Sequence, residues 1–273
     1  MPDAVKLSSP ATGEFWEIPV LFEDDHLLAL NKPPGLLVSP DRSDAKRPNF
    51  LQLIHRDIER GAPWDKQRGL AYLMNAHLLD FEAGGVILLA KNKPALIALA
   101  AQFATAEPCR VYAALVRGTP EADTFATDAK LAPHPLQMGV IRVDLREGKR
   151  SHTDFAVRER FNNCLLLECR PSPDRSHQIR AHLKHIRLPL IGDNVYGGRP
   201  LYLSTMKPGY RLKPNHEERP LIARPALHLE QVIITHPATA EKMTLQAPWA
   251  KDLTVSIKYL RRYAGGMTGA AAE

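Results

Sequence analysis

Short, continuous apolar runs of strand length recur along the chain. The run over 27–30 is followed by Lys32-Pro33-Pro34-Gly35, which forces a turn before apolar residues resume at 36–38. The run over 85–90 is apolar throughout, as expected for a buried strand. Further strands are predicted over 110–116 and, as a pair, over 152–170.

Three segments place a capping residue before apolar positions at helical spacing; the capping residues are Asn49, Asn92 and Ser176. These segments predict helices over 49–60, from Asn92 to before Pro108, and over 176–187, with Gly61 and Pro189 as stop signals. Strands outnumber helices and their order is mixed, which indicates a fold that combines both.

The other segments lack a clear period. Residues 1–19 are interpreted as a polar amino-terminal extension and 263–273 as a flexible tail. Residues 199–224 contain six arginines and lysines but only two glutamates, which predicts a long basic surface loop. Such a loop either contacts a polyanion or is a solvated insertion, and both readings stay open.

Composition and charge narrow the possible partners. A chain of 273 residues can form one large domain or two lobes. The formal charge of +6 and the pI near 9.2 favour contact with phosphate backbones, although many basic proteins never bind nucleic acid. The three cysteines are odd in number and lack metal-ligand spacing, which favours a reducing cytosol over a disulfide framework. No signal peptide or membrane span is predicted, so a cytoplasmic location without membrane contact is expected.

Two segments carry residue types suited to chemistry. Asp80 precedes the apolar run at 85–90, so a loop presents its carboxylate beside a rigid strand. The segment Arg175-Ser176-His177-Gln178-Ile179-Arg180 places two guanidiniums at a predicted helix start, where an anion is favoured. Each segment also has an interpretation without a function: Asp80 is then an ordinary loop aspartate, and residues 175–180 are a solvated helix start. Tyr112 fits either core packing or stacking against a base.

The sequence lacks features that a metal site or a nucleotide-cofactor site needs. His177, His182 and His185 suggest a metal-dependent hydrolase, but no carboxylate or cysteine completes the set at zinc-like spacing. Gly84-Gly85 precedes a strand, whereas a phosphate-binding loop precedes a helix. No metal and no cofactor are therefore expected.

Taken in order, several segments resemble the RluA family of pseudouridine synthases, over about residues 20–253. The matching segments are Asn31-Lys32-Pro33-Pro34-Gly35, His77-Leu78-Leu79-Asp80, Arg110-Val111-Tyr112-Ala113-Ala114-Leu115-Val116-Arg117-Gly118, Arg175-Ser176-His177-Gln178-Ile179-Arg180, Gly192-Asp193-Asn194-Val195-Tyr196-Gly197 and Arg224-Pro225-Ala226-Leu227-His228. The family patterns are Asn-Lys-Pro-x-Gly, His-Arg-Leu-Asp, Lys-x-Tyr-x-Ala-x-Val-x-Gly, Arg-Thr-His-Gln-Ile-Arg and Gly-Asp-x-x-Tyr-Gly.

The resemblance implies a function and roles for named residues. It implies isomerisation of uridine to pseudouridine in structured rRNA or tRNA, with Asp80 as nucleophile, Tyr112 stacking on the uracil and Arg175 as the ionic partner of Asp80. The implied substrate-binding residues are His77, Leu78, His177, Gln178, Ile179 and Arg180. For Tyr112, the resemblance favours the site over the core reading.

The resemblance also implies an architecture. It implies an α+β fold with a central, mainly antiparallel sheet in two lobes, flanked by helices around an RNA-binding cleft. The catalytic domain is expected over 20–262, without an S4-type module before it, and the protein is expected to act as a monomer.

Three segments depart from the family pattern. Leu78 stands where relatives have the arginine that takes part in base flipping. Ala83-Gly84-Gly85 replaces Thr-Ser-Gly, and Asp174 adds a negative charge before Arg175 where relatives have glycine. Leu78 and Asp174 support an alternative hypothesis, a catalytically impaired RNA-binding protein on the same fold.

Overall fold

The computed structural model describes residues 4–40, 47–66, 68–105, 109–212 and 215–265. The chain divides into two compact units. The first comprises Met1–Arg110 and Leu229–Pro248, and the second comprises Val111–His228 and Trp249–Glu273. Each unit therefore draws on two separate stretches of sequence.

The elements of the described residues follow in chain order. The strands are β1 Ala4–Ser8, β2 Phe15–Glu23, β3 Leu27–Lys32, β4 Met74–Asn75, β5 Gly84–Ala90, β6 Cys109–Arg117, β7 Thr124–Thr127, β8 Leu131–Pro133, β9 Ile141–Val143, β10 His152–Phe161, β11 Cys164–Ser172, β12 Leu227–Thr235 and β13 Lys242–Gln246. The α-helices are α1 Phe50–Glu59, α2 Pro63–Lys66, α3 Lys93–Ala104, α4 Gln178–His185 and α5 Lys251–Tyr263, with 3-10 turns at Asn194–Tyr196 and Leu203–Thr205.

The first unit is built on antiparallel neighbours. Strand β1 pairs with β2, β2 with β3, β3 with β5, and the short β4 also pairs with β5. Every residue of β5 is buried, as its continuous apolar sequence predicts. Strand β12 is the next neighbour of β5 and pairs in turn with β13.

Gly85 allows two strands of the first unit to approach closely. A Cβ at this position would lie 2.1 Å from the carbonyl oxygen of Leu229 on β12, and the φ of +121° is itself unfavourable for an L residue. No side chain can be accommodated there without moving the backbone. The start of β5, which follows the Asp80 segment, is thereby fixed against the sheet.

The amino-terminal segment is more ordered than a polar extension. Residues 4–8 and 15–23 form the β1–β2 hairpin, in which Val5, Leu7 and Ile18 have no exposed surface. Apolar residues alternate with polar ones in this segment, which is the pattern of a strand with one buried face. Residues 1–3 lie outside the described residues.

The second unit contains β6, β11, β10 and β7, paired in that order and antiparallel. Strands β8 and β9 form a separate antiparallel pair. The core of this unit packs apolar residues of β6 and β11 against α5 and the segments near 191, 201 and 222. The mixed α+β class and the mainly antiparallel sheet are thus confirmed, whereas the RNA-binding cleft stays a prediction.

Two of the three predicted helices begin at their predicted capping residues. The side chain of Asn49 accepts a hydrogen bond from the backbone N–H of Gln52, and that of Asn92 accepts one from Ala95. Helix α1 ends at Glu59 and α3 at Ala104, in agreement with the stop signals; Pro108 lies outside the described residues. Local capping chemistry therefore decided both starts.

Helix α4 differs from its prediction at both ends. The N-cap residue is His177 instead of Ser176, and its backbone is left-handed with φ 53°. The helix ends at His185, before Arg187, which has φ 62°. A left-handed turn thus replaces the side-chain cap that Ser176 would have supplied.

The basic segment over 199–224 is anchored at both sides. Leu201 and Ile222 form a bridge and are buried in the core of the second unit. Arg211 and Arg219 are exposed between them, and Arg199 is exposed just before Leu201. Lys213 and the residues from 266 onward lie outside the described residues. Helix α5 extends to Tyr263, so the first residue of the predicted tail over 263–273 is helical.

In the ranges described above, none of the helices has both the length and the apolar character needed to cross a membrane.

Candidate active site

Asp80 lies on a tight turn that leads into the fully buried strand β5. Its carbonyl oxygen accepts a hydrogen bond from the N–H of Ala83 at 3.2 Å. The next residue, Phe81, accepts one through its carbonyl from the N–H of Gly35 at 2.9 Å. The turn that carries the Asp80 carboxylate is thus held by backbone hydrogen bonds at both Asp80 and Phe81. Asp80 is half-buried.

A buried ammonium group supports the same turn. Lys32 ends β3 and has no exposed surface. Its Nζ donates hydrogen bonds to the carbonyls of Pro33 at 3.0 Å, Leu36 at 2.9 Å and Phe81 at 3.5 Å. A buried charge is tolerated only with such partners, so Lys32 joins the Asn31–Gly35 turn to the Asp80 turn. The sequence placed Lys32 in a turn but did not reveal this role.

His77 is a buried, neutral residue that fixes the segment before Asp80. Its Nε2 accepts the backbone N–H of Leu88 at 3.2 Å, which places the proton of the neutral ring on Nδ1, 3.3 Å from the carbonyl oxygen of Leu78. The ring lies 5.2 Å from that of Phe103, over which the Arg110 guanidinium sits at 4.5 Å. Burial, and secondarily the positive charge of Arg110, lowers the pKa of His77 to about 3.

We expect this histidine to make the protein acid-sensitive. In the unfolded chain His77 has its ordinary pKa of about 6.5, so between that value and about 3 the unfolded state binds the extra proton. The free energy of unfolding should therefore fall as the pH decreases below about 6.5. Urea denaturation at pH 7 and pH 5 measures this slope.

The matched variant is His77→Gln, which keeps a donor and an acceptor but does not titrate. Its stability should fall less steeply between pH 7 and pH 5 than that of the wild type. A residual slope is expected because burial also lowers the pKa of His182. Equal slopes in wild type and variant would contradict the role assigned to His77.

Burial alternates along His77-Leu78-Leu79-Asp80. His77 and Leu79 are 6 and 8% exposed, whereas Leu78 is 55% exposed and Asp80 is half-buried. Leu78 is a large apolar residue presented to solvent two positions before the candidate nucleophile. Of the two implied substrate-binding residues on this segment, Leu78 is therefore the accessible one.

Tyr112 lies on β6 of the second unit, opposite Cys169 of β11. Only 5% of its surface is exposed, and its hydroxyl donates a hydrogen bond to Oδ2 of Asp174 at 2.7 Å. The sequence pointed to Tyr112 through the family resemblance and treated Asp174 only as a charge beside Arg175. The contact joins positions 62 apart, so no local pattern could show it.

Arg175 follows Asp174 and precedes α4. It is half-buried, and its Nε donates to the carbonyl oxygen of Arg150 at 3.2 Å. Asp80 belongs to the first unit and Arg175 to the second. The ion pair between them stays a prediction.

Arg180 is the centre of a buried network in the second unit. Its guanidinium forms a two-pronged ion pair with Asp193, at 2.7 Å from Nε to Oδ2 and 2.9 Å from Nη2 to Oδ1, and both side chains are 1% exposed. Its Nη1 lies 3.1 Å from Nε2 of His177, whose Nδ1 is 3.0 Å from the Tyr196 hydroxyl. That hydroxyl accepts the N–H of Ile141 at 2.9 Å.

The buried position of Arg180 changes how its motif is interpreted. Gln178 and Ile179 are also buried, and Gln178 donates to the carbonyl of His152 at 2.8 Å. These residues hold the helix start in place, while Lys184 and Arg187 on the same segment are exposed. Direct RNA binding by His177, Gln178, Ile179 and Arg180 stays a prediction.

His182 does not have the geometry of a metal ligand. Its Nδ1 forms a hydrogen bond with Thr153 Oγ1 at 2.9 Å, and its Nε2 forms one with the carbonyl oxygen of Ala129 at 2.8 Å. Among the described residues, no group of three or more histidines, cysteines or carboxylates could hold a metal ion. The hydrolase interpretation built on His177, His182 and His185 therefore loses its central residue.

Comparison with known proteins agrees with these motifs. A family model described as RNA pseudouridylate synthase matches residues 26–185. The ribosomal large subunit pseudouridine synthase C of Salmonella typhi is 33% identical over 255 residues, which cover 89% of this chain and 70% of that protein. The ribosomal large subunit pseudouridine synthase D of Xanthomonas campestris is 32% identical over 250 residues, covering 89% of this chain and 69% of that protein.

A solved structure supports the fold. Human RNA pseudouridylate synthase domain containing 4 superposes with a TM-score of 0.64 at 22% identity, covering 89% of this chain and 92% of that chain. The family model and the curated relatives both extend over more than half of the chain. The chain is therefore a member of the RluA family of pseudouridine synthases, and an RNA-modifying isomerase.

Proposed function

We propose that this enzyme isomerises uridine in RNA of the large ribosomal subunit, with Asp80 as the nucleophile. The observation that carries the choice of rRNA is the similarity to ribosomal large subunit synthases C and D over about nine-tenths of the chain. The basic surface, with a formal charge of +6, suits a substrate dense in phosphate. We retain the cytoplasm and a monomeric state as part of the proposal.

The position of Asp80 suits a nucleophile. Isomerisation cuts the glycosidic bond, turns the uracil and forms a carbon–carbon bond, so a carboxylate must be held in one orientation throughout. The Asp80 turn is fastened by the bonds of Ala83, Gly35 and Lys32 described above. A guanidinium such as Arg175 at about 4–6 Å would favour the ionised form of the carboxylate.

In the proposed function, Leu78 helps to flip the target uridine out of its base stack. A uridine in folded RNA must leave its stack, at a cost of about a few kcal/mol. Relatives have arginine at this position, whereas the exposed Leu78 cannot donate hydrogen bonds. It can insert apolar surface into the gap left by the uridine. Exposed Lys184, Arg187 and Arg199 are candidates to hold the flanking phosphates.

Tritium release from C5-tritiated uridine tests the substrate. The purified enzyme should release tritium from a large-subunit rRNA transcript of its own organism, and a tRNA pool labelled in the same way should give background release. Release from tRNA alone would overturn the choice of rRNA. Release from no RNA of the parent cell would support the impaired RNA-binding protein instead.

A further inference from the structure

A basic and aromatic surface lies where the basic segment meets helix α5. The helix carries Tyr259 and Tyr263, whose rings stack with their centroids 6.1 Å apart and an interplanar angle of 14°. The Nζ of Lys207 lies 5.9 Å from the centroid of the Tyr263 ring, and the Arg262 guanidinium lies 5.3 Å from it. Lys258 is exposed four positions before Arg262, on the same helix face. We call these five residues, all of the second unit, the α5 patch.

The core of the second unit holds the α5 patch in place. Met206 packs against this core, so it anchors its neighbour Lys207. Ala264 packs against the same core and anchors Tyr263 in the same way. The carbonyl oxygen of Ala264 also accepts a hydrogen bond from the N–H of Asn162 at 2.9 Å, which ties the end of α5 to the turn between β10 and β11. A partner of the patch therefore has little chain to order when it binds.

The positive charges of the α5 patch are not neutralised within the unit. In the part of the chain that the structure describes, none of its three cations forms an ion pair. Asp252, the acid of α5 itself, is paired with Arg224 at 2.7 Å. Glu159 is paired with Arg261 at 2.8 Å. Three positive charges thus remain for a partner outside the protein.

Helix electrostatics account for only part of this arrangement. The helix macrodipole favours cations in the last turn, which explains Arg261 and Arg262. It does not explain Lys258, which lies one turn earlier, because the effect falls off beyond the last turn. It also does not explain Lys207, which comes from another segment and lies over the same ring as Arg262. A common anionic partner accounts for all three cations.

We propose that the α5 patch binds the phosphate backbone of the substrate RNA, as a second contact separate from those made with the target uridine. The proposal rests on the proposed function for the identity of that RNA. RNA carries one negative charge per nucleotide, so a cluster of three cations engages neighbouring phosphates and releases their counterions. Such contacts position an RNA without reading its sequence. The basic segment thus contacts a polyanion through Lys207.

Removal of charge from the α5 patch tests the proposal. The patch variant combines Lys258→Gln with Arg262→Gln. Its matched control combines Lys6→Gln with Lys242→Gln, which removes the same charge from two exposed lysines of the first unit. Filter binding to a large-subunit rRNA transcript of the same organism measures affinity at several salt concentrations. The patch variant should bind roughly tenfold more weakly, and its logarithmic salt slope should be smaller by about 1.4–1.8, the value for two phosphate contacts.

The control should remain close to the wild type in both affinity and salt slope. Repeating the comparison with a tRNA pool covers the case in which tRNA is the substrate. Circular dichroism checks that each full-length variant is folded. Equal affinity of the patch variant and its control would overturn the proposal and would point to an acidic protein surface as the partner.

Single variants test the other parts of the α5 patch. Lys207→Gln changes the basic segment and leaves α5 intact, so its effect does not depend on the stability of the helix. It should weaken binding by roughly threefold, as expected for one phosphate contact. Tyr263→Leu removes the ring beneath two cations without changing the charge, and binding should weaken by roughly twofold to fivefold. Tyr263→Phe keeps the ring and should bind like the wild type; equal affinity of the leucine and phenylalanine variants would contradict the role of the ring.

Kinetics separate a second contact from a role in the reaction. With saturating RNA, the patch variant should release tritium at the wild-type rate, while its KM rises with the loss of affinity. A lower rate at saturating RNA would overturn the proposal. Failure of the proposed function has a different signature, since binding is measured without turnover. The wild-type enzyme would then release no tritium from rRNA, while the patch variant would still bind RNA more weakly than its control.

Discussion

Replacing Asp80 by asparagine is expected to reduce pseudouridine formation by roughly 10⁴-fold or more, because the amide cannot act as a nucleophile. The two side chains have the same shape, and the turn is held by backbone groups of Ala83 and Phe81 and by Lys32. The free energy of unfolding should therefore change by no more than about 1 kcal/mol. RNA affinity should also be close to that of the wild type.

Tritium release from C5-tritiated rRNA measures the activity, and a filter-binding assay measures the affinity. Asp25→Asn is the matched control, since Asp25 is an exposed aspartate of the same unit, in the loop between β2 and β3. This control should retain full activity. If Asp80→Asn formed pseudouridine within about tenfold of the wild-type rate, Asp80 could not be the nucleophile.

Replacing Arg180 by methionine is expected to destabilise the protein by about 3–5 kcal/mol. The substitution leaves the Asp193 carboxylate, 1% exposed, without the guanidinium that it contacts through both oxygens. Breaking one side of a buried ion pair leaves an uncompensated charge, which accounts for this magnitude. His177 also loses its contact with Arg180. Urea denaturation at pH 7 measures the loss.

A surface ion pair provides the comparison. Arg261 and Glu159 are 2.8 Å apart, but their side chains are 56 and 27% exposed. Arg261→Met should cost only about 0–1 kcal/mol. The double variant Arg180→Met with Asp193→Asn should be less destabilised than the sum of its two single variants. A loss below about 1 kcal/mol for Arg180→Met would show that the buried pair does not stabilise the fold.

Features that depend on neighbouring residues could be predicted from the sequence. Asn49 and Asn92 were identified as helix caps because a side-chain oxygen and the N–H groups it accepts lie within three residues. Strand β5 was evident from its uninterrupted apolar run. The start of α4 was not, because the left-handed backbone of His177 carries no signal in its residue type.

Features that depend on distant residues could not be predicted in this way. Arg180 is of a residue type that often binds RNA. Its side chain is buried instead, because it forms an ion pair with Asp193, which lies in another segment. Asp174 appeared to be a charge next to Arg175, whereas strand pairing brings it to Tyr112. The candidate site was recognised through motifs, and the contacts that support it required the fold.

Because burial alternates along residues 77–80, the buried and the exposed positions tolerate different substitutions. The core holds His77 and Leu79, and a change at either must preserve packing. Leu78 faces solvent, so arginine and leucine can be exchanged there at little cost in stability. Position 78 can thus change by a single substitution during evolution without compensating mutations in the core.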